Sequence, residues 1–132
     1  MSNVTFPASL ETIGEYAFGL TGISTLTFPA GSILKVIGSA AFVNCTGIIG
    51  TITFPATLQS IGANAFTNCD QIPSIAFPVG SELTTIYNAA FFGCTGLYGT
   101  INFPESLERI YPYAFQGCAN ISGITFPAGS VL

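Results

Sequence analysis

Aromatic and aliphatic residues recur along this chain at fixed intervals, with Gly, Ser, Thr and Asn between them. Phe-Pro stands at Phe6, Phe28, Phe54, Phe77, Phe103 and Phe126, at spacings of 22, 26, 23, 26 and 23 residues. Short and long units alternate, so the full period is a double repeat of 49 residues, from Phe28 to Phe77 to Phe126 and from Phe54 to Phe103. A period of this length marks an array of stacked supersecondary units, none of which could fold alone.

Aligned on Phe-Pro, the other apolar positions fall into register. Leu10, Leu34, Leu58, Leu83 and Leu107 line up, then Ile13, Ile37, Ile61, Ile86 and Ile110. An Ala-Phe pair follows at Ala17-Phe18, Ala41-Phe42, Ala65-Phe66, Ala90-Phe91 and Ala114-Phe115. Three residues after the Phe stands Cys45, Cys69, Cys94 or Cys118; the first unit has no cysteine and is one residue shorter between Phe18 and Ile23. The triplets Leu26-Thr27-Phe28, Ile52-Thr53-Phe54, Ile75-Ala76-Phe77, Ile101-Asn102-Phe103 and Ile124-Thr125-Phe126 alternate apolar and small polar residues, the period of a half-buried strand. Proline cannot donate to a ladder and should stop each strand. Stacked copies predict one parallel sheet. The five-residue step from Ile37 to Phe42 suits a short helical turn on the opposite wall, and L-x-x-I offers a second short strand.

The long units FPAGSIL and FPVGSEL carry two more residues than FPATL and FPESL, and their Cys-to-Phe step is nine residues instead of eight. Both insertions fall in turns, where extra length is tolerated. The expected architecture is a single α/β solenoid over residues 1–132, with units starting at Phe6, Phe28, Phe54, Phe77 and Phe103 and a truncated one from Phe126.

The pattern L-x-x-I-G-x-x-A-F-x-x-C-x-x-L-x-x-I-T-F-P resembles the BspA-like (Treponema-type) leucine-rich repeat family, over essentially the whole chain. Phe-Pro after the strand, where many relatives have Leu-Pro or Ile-Pro, is a small departure. The resemblance implies a right-handed superhelix and a cell-surface or extracellular setting, since members are often surface adhesins.

Composition narrows the chemistry. Two cations against six carboxylates leave nothing to neutralise a row of phosphates, so nucleic acid is a poor partner. No apolar run approaches the roughly 18 residues of a membrane-spanning helix. Met1-Ser2-Asn3-Val4-Thr5 has neither a basic segment nor an apolar one, so no signal peptide is read. With only 6% of residues charged, repulsion between copies is weak and self-association is permitted. There is no His, the commonest general base and a common metal ligand. The one dense charged group, Glu105, Glu108 and Arg109, reads as solvated surface. No enzyme, cofactor or metal site is expected.

Cys45, Cys69, Cys94 and Cys118 recur 24, 25 and 24 residues apart at one structural position, unlike the close C-x-x-C pairs of zinc sites. They read as an inward column of free thiols, since parallel side-chain vectors disfavour bridging. Asn3-Val4-Thr5, Asn44-Cys45-Thr46 and Asn120-Ile121-Ser122 match the glycosylation triplet, two of them across core positions. Tyr16, Tyr87, Phe92, Tyr98, Tyr111 and Tyr113 lie outside the apolar ladders and are candidate binding anchors.

The outward side of the predicted sheet carries Thr25, Thr27, Thr51, Thr53, Ser74, Thr100, Asn102 and Thr125, an uncharged hydroxyl array that reads as a recognition face for a protein or glycan. Paired Thr ranks also suggest ice binding, weakened by Ala76, Asn102 and Gly123. Val4 and Phe6 at one end, and Ile124, Phe126 and Leu132 at the other, would be apolar if uncapped, which suggests copies stacked head to tail into a filament.

Overall fold

The structure, a computed structural model, describes residues 2–130. Short strands form at β1 (Ser2–Thr5), β2 (Thr12–Ile13), β3 (Ile23–Thr27), β4 (Val36–Ile37), β5 (Ile52–Thr53), β6 (Ser60–Ile61), β7 (Ile75–Ala76), β8 (Thr85–Ile86), β9 (Gly99–Asn102), β10 (Arg109–Ile110) and β11 (Ile121–Thr125). All pair in parallel, as stacked turns of one solenoid require.

The continuous sheet is the one that L-x-x-I supplies. β2, β4, β6, β8 and β10 lie side by side in five strands, with Ile13, Ile37, Ile61, Ile86 and Ile110 in register. The wall ending in Phe-Pro, expected as a single sheet, is instead three separate pairs: β1 with β3, β5 with β7, and β9 with β11. The breaks fall where the long units run, from Phe28 to Phe54 and from Phe77 to Phe103. In each long unit the extra residues lie just after one Phe-Pro strand and just before the next, while the segment from Leu to Cys that carries the Ile strand keeps its length, so only the Phe-Pro ladder is interrupted. One hydrogen bond holds each break at its entrance, Ile49 N–H to Ser24 O at 3.0 Å and Tyr98 N–H to Pro73 O at 3.1 Å.

The Ala-Phe wall corrects a second expectation, because no helix forms among the described residues. Alternate N–H groups leave the unit altogether. In the second unit Ala41, Val43 and Cys45 donate three residues back, to Gly38, Ala40 and Phe42, at 3.2–3.3 Å. Between them, Ala40, Phe42 and Asn44 donate at 2.8 Å to Ala63, Ala65 and Thr67 of the next unit. This alternation needs left-handed residues four apart: Tyr16 and Leu20, Ala40 and Asn44, Asn64 and Asn68, Ala89 and Gly93, Tyr113 and Gly117, with φ between 54° and 82°. Such a residue in every turn excludes an α-helix. The Ile-to-Phe spacing is compatible with both geometries, and bonding to the neighbouring unit selects the turns.

Two phenylalanine ladders fill the interior. Phe18, Phe42, Phe66, Phe91 and Phe115 stack at centroid distances of 5.1–5.4 Å, within 10° of parallel. Phe54 and Phe103 from the other ladder meet them edge-on at 5.7–5.9 Å. Phe42, Phe54, Phe66 and Phe91 are fully buried, each contributing roughly 1.5–3 kcal/mol. The Phe-Pro ladder records the broken wall: within strand pairs its rings lie 5.2–5.5 Å apart, and across the breaks 6.4 Å for Phe28 to Phe54 and 6.0 Å for Phe77 to Phe103.

Candidate functional site

The cysteines line the interior and are free. Each thiol donates to the carbonyl of the preceding unit's phenylalanine at 3.0 Å: Cys45 to Phe18, Cys69 to Phe42, Cys94 to Phe66 and Cys118 to Phe91. In the first unit Thr21 takes the cysteine's place and returns its hydroxyl to Phe18 O at 2.7 Å. The column therefore ties one turn to the next. Burial pushes the Cys69 thiol from 9.0 up to about 12, and the neighbouring Cys118 together with burial pushes Cys94 up. Such thiols are poor nucleophiles.

A pH dependence follows. Above pH 9.0 the unfolded chain releases the Cys69 proton while the folded chain keeps it up to about 12, so stability falls as pH rises through that window. The loss is expected to approach about 1.4 kcal/mol per pH unit for this thiol. Urea denaturation near neutral pH and at about pH 10 measures it, and Cys69→Ala should show a smaller fall.

The hydroxyl face follows the strand pairs. Asn3 Oδ1 accepts from Ser24 and Thr25 at 2.8 Å, Thr51 and Ser74 lie 2.6 Å apart, and Thr125 donates to Asn102 at 2.5 Å. Each tie stays within one pair. Thr27, Thr51, Thr53, Thr100, Asn102 and Thr125 are exposed, and Thr25 and Ser74 half-buried. The result is three hydroxyl-tied panels rather than the flat array expected.

Between the panels lie two clefts of about 650 and 560 Å³. The first is lined by Phe28, Pro29, Gly31 and Ser32 on one side and by Thr53, Phe54 and Pro55 on the other. The second is lined by Phe77, Pro78, Gly80 and Ser81, facing Asn102, Phe103 and Pro104. Each residue of the second stands 49 positions after its counterpart in the first. Gly31 and Gly80, both at φ 81°, turn the lips in a conformation that favours glycine. The first cleft has no charged lining residue, and Glu105 enters the second. These clefts are legible in the sequence only as the alternation of 23 and 26 residues, which says where length is added and not what it opens.

Other candidates are dispersed. Glu105 sits at the second cleft, whereas Glu108 and Arg109 lie exposed beside and on β10, where the Arg109 guanidinium reaches Tyr111 Oη at 3.5 Å. The one ion pair among the described residues is Lys35 with Glu11 at 3.9 Å, exposed and worth little. The three sequon asparagines hold hydrogen bonds: Asn3 as above, Asn44 Oδ1 from Asn68, and Asn120 Nδ2 to Thr95 O. Tyr87 and Tyr111 stack at 5.2 Å; Tyr16, Tyr98 and Tyr113 are more than 60% exposed. Of the end residues, Phe6 is buried, Val4 half-buried, Ile124 and Phe126 exposed; Leu132 lies outside the described residues. No helix among the described residues is long and apolar enough to cross a membrane.

Comparison with known proteins places these features in context. Residues 1–122 match the BspA type leucine rich repeat region, in six copies. No curated protein sequence matches the chain. Among solved structures, the pneumococcal vaccine antigen PcpA is similar at 24% identity and a TM-score of 0.87, over 97% of this chain and 31% of that one. The T. pallidum leucine rich repeat protein TpLRR is similar at 26% identity and a TM-score of 0.80, over 92% of this chain and 57% of that one. A leucine rich cell surface protein of Faecalibacterium prausnitzii is similar at 20% identity and a TM-score of 0.55, over 98% and 48%. The chain thus spans less than two thirds of each of these structures.

Proposed function

Because the chain belongs to the BspA-type leucine-rich repeat family, we propose that it is a non-enzymatic interaction module of a cell-surface or extracellular protein, holding a protein partner on its hydroxyl wall. The observation that carries this reading is the pair of equivalent clefts 49 residues apart. Each opens between Phe-Pro edges, is rimmed by hydroxyls or an amide, and has rings of the Phe-Pro ladder in its lining. Concave sites with an apolar floor and few polar groups are where ligands seat, and solenoids present extended faces to partners. Two such sites on one wall give a partner two anchoring points, which multiplies affinity when both engage. The described natures of two similar structures, a vaccine antigen and a cell surface protein, support the same setting.

The test is binding of the chain to a panel of purified extracellular matrix and host-surface proteins, measured beside the double variant Thr53→Arg with Asn102→Arg. Both positions are exposed, and the second change gives up only the Asn102–Thr125 bond, so the unfolding free energy should fall by no more than about 1.5 kcal/mol. Binding should fall by about tenfold or more as guanidinium groups fill both clefts. Undiminished binding by the double variant would refute the wall as the site. A chain that associates only with itself, seen as concentration-dependent sedimentation, would replace this reading with head-to-tail assembly.

A further inference from the structure

The opposite, Ala-Phe wall carries a second site of different chemistry. Its outward residues form two columns, one from the left-handed position before each Ala-Phe and one from the residue after the Phe. Across the third, fourth and fifth units the first column reads Asn64, Ala89, Tyr113 and the second Thr67, Phe92, Gln116. These six residues line a depression of about 400 Å³. Ala89, the smallest, leaves the floor low between Asn64 and Tyr113. None of the six is charged.

Three features make this more than a gap in the surface. Tyr113, at the left-handed position that every unit has, is 64% exposed and turns an aromatic residue to this face. Phe92 brings a second, half-buried ring to the same depression. The Thr67 hydroxyl lies 2.8 Å from Ala89 O and 3.2 Å from Asn64 Oδ1, and the exposed Asn64 and Gln116 bring two side-chain amides to the depression.

We propose that this depression is a subsite for a neutral oligosaccharide. An aromatic face takes the C–H face of a sugar ring, and amides both donate to and accept from its hydroxyls. An uncharged, shallow, aromatic and amide-lined pit meets both needs without a counter-ion. A peptide strand would look for a free sheet edge, and the backbone N–H groups here are already engaged: Asn64 donates to Asn88 O, Phe66 to Ala90 O, Ala89 to Pro112 O and Phe91 to Ala114 O.

Isothermal titration calorimetry on the whole chain, with neutral hexasaccharides of β-linked glucose, N-acetylglucosamine, mannose and xylose, tests the assignment. At least one should bind. Tyr113→Asn places in the fifth unit the residue that the third carries at the same position, and Phe92→Thr does likewise for Thr67, so both variants should fold. Each should weaken that binding by about tenfold or more. The Thr53→Arg with Asn102→Arg variant should bind the sugar as the parent does, which separates this site from the hydroxyl wall. No binding by any of the four sugars, or binding that survives Tyr113→Asn unchanged, would overturn the proposal.

Discussion

Phe66→Ala is expected to lower the unfolding free energy by about 3–5 kcal/mol. Phe66 is fully buried, stacked on Phe42 at 5.1 Å and on Phe91 at 5.2 Å, and edge-on to Phe54 at 5.9 Å. Removing its ring opens a cavity in the middle of both ladders, and the neighbours cannot collapse because each is held by its own unit. A domain of ordinary stability has roughly 5–15 kcal/mol in total, so this one change takes a large share. In a one-dimensional array the loss also weakens the coupling of the units on either side. Phe126→Ala makes the control, since that ring is 45% exposed and stacks only on Phe103. Urea denaturation of both variants should show at most about half the cost for Phe126. Equal costs would mean that the ladder does not carry the fold.

The second large effect concerns a residue without a side chain. Gly62→Ala is expected to cost about 1–3 kcal/mol, because a Cβ built there lies 2.7 Å from Gly38 C and 2.7 Å from Ser39 N. Gly38 has the same constraint toward Ile13 O at 2.8 Å. Neither glycine has a positive φ among the described residues, so close approach of successive turns is what demands them, not backbone conformation. The hydrogen bonds that draw these turns together, Gly38 N–H to Ile13 O and Gly62 N–H to Ile37 O, are both 2.8 Å. Tyr87 and Tyr111 hold the equivalent place in the fourth and fifth units, where the bonds are 2.9 Å and the rings stack on each other. Denaturation of Gly62→Ala measures the clash, and a cost below about 0.5 kcal/mol would show that the glycine half can relax as the tyrosine half does.

Much of this fold is legible in the sequence, for a physical reason. Identical units must present identical faces, so positions that recur in register, such as Leu58, Ile61, Ala65 and Phe66, are the buried ones. The same logic reached the inward cysteines but not their role, because a thiol and an apolar side chain occupy a core position alike in sequence. The hydroxyl face was readable as a row of residues and not as three panels. The depression on the other wall shows in the sequence only as scattered aromatics, since its lining comes from three units at once.

The sequence by itself determined the period and the buried positions, because these depend on residue type and spacing alone. Tertiary structure decided how neighbouring units bond. It placed the continuous sheet on the Ile wall, split the Phe-Pro wall into pairs, and replaced the expected helical turns with left-handed ones. Each of those outcomes turns on where a backbone N–H finds its acceptor. When the acceptor lies some 24 residues away in the next turn, no local pattern records which of two compatible geometries will satisfy it.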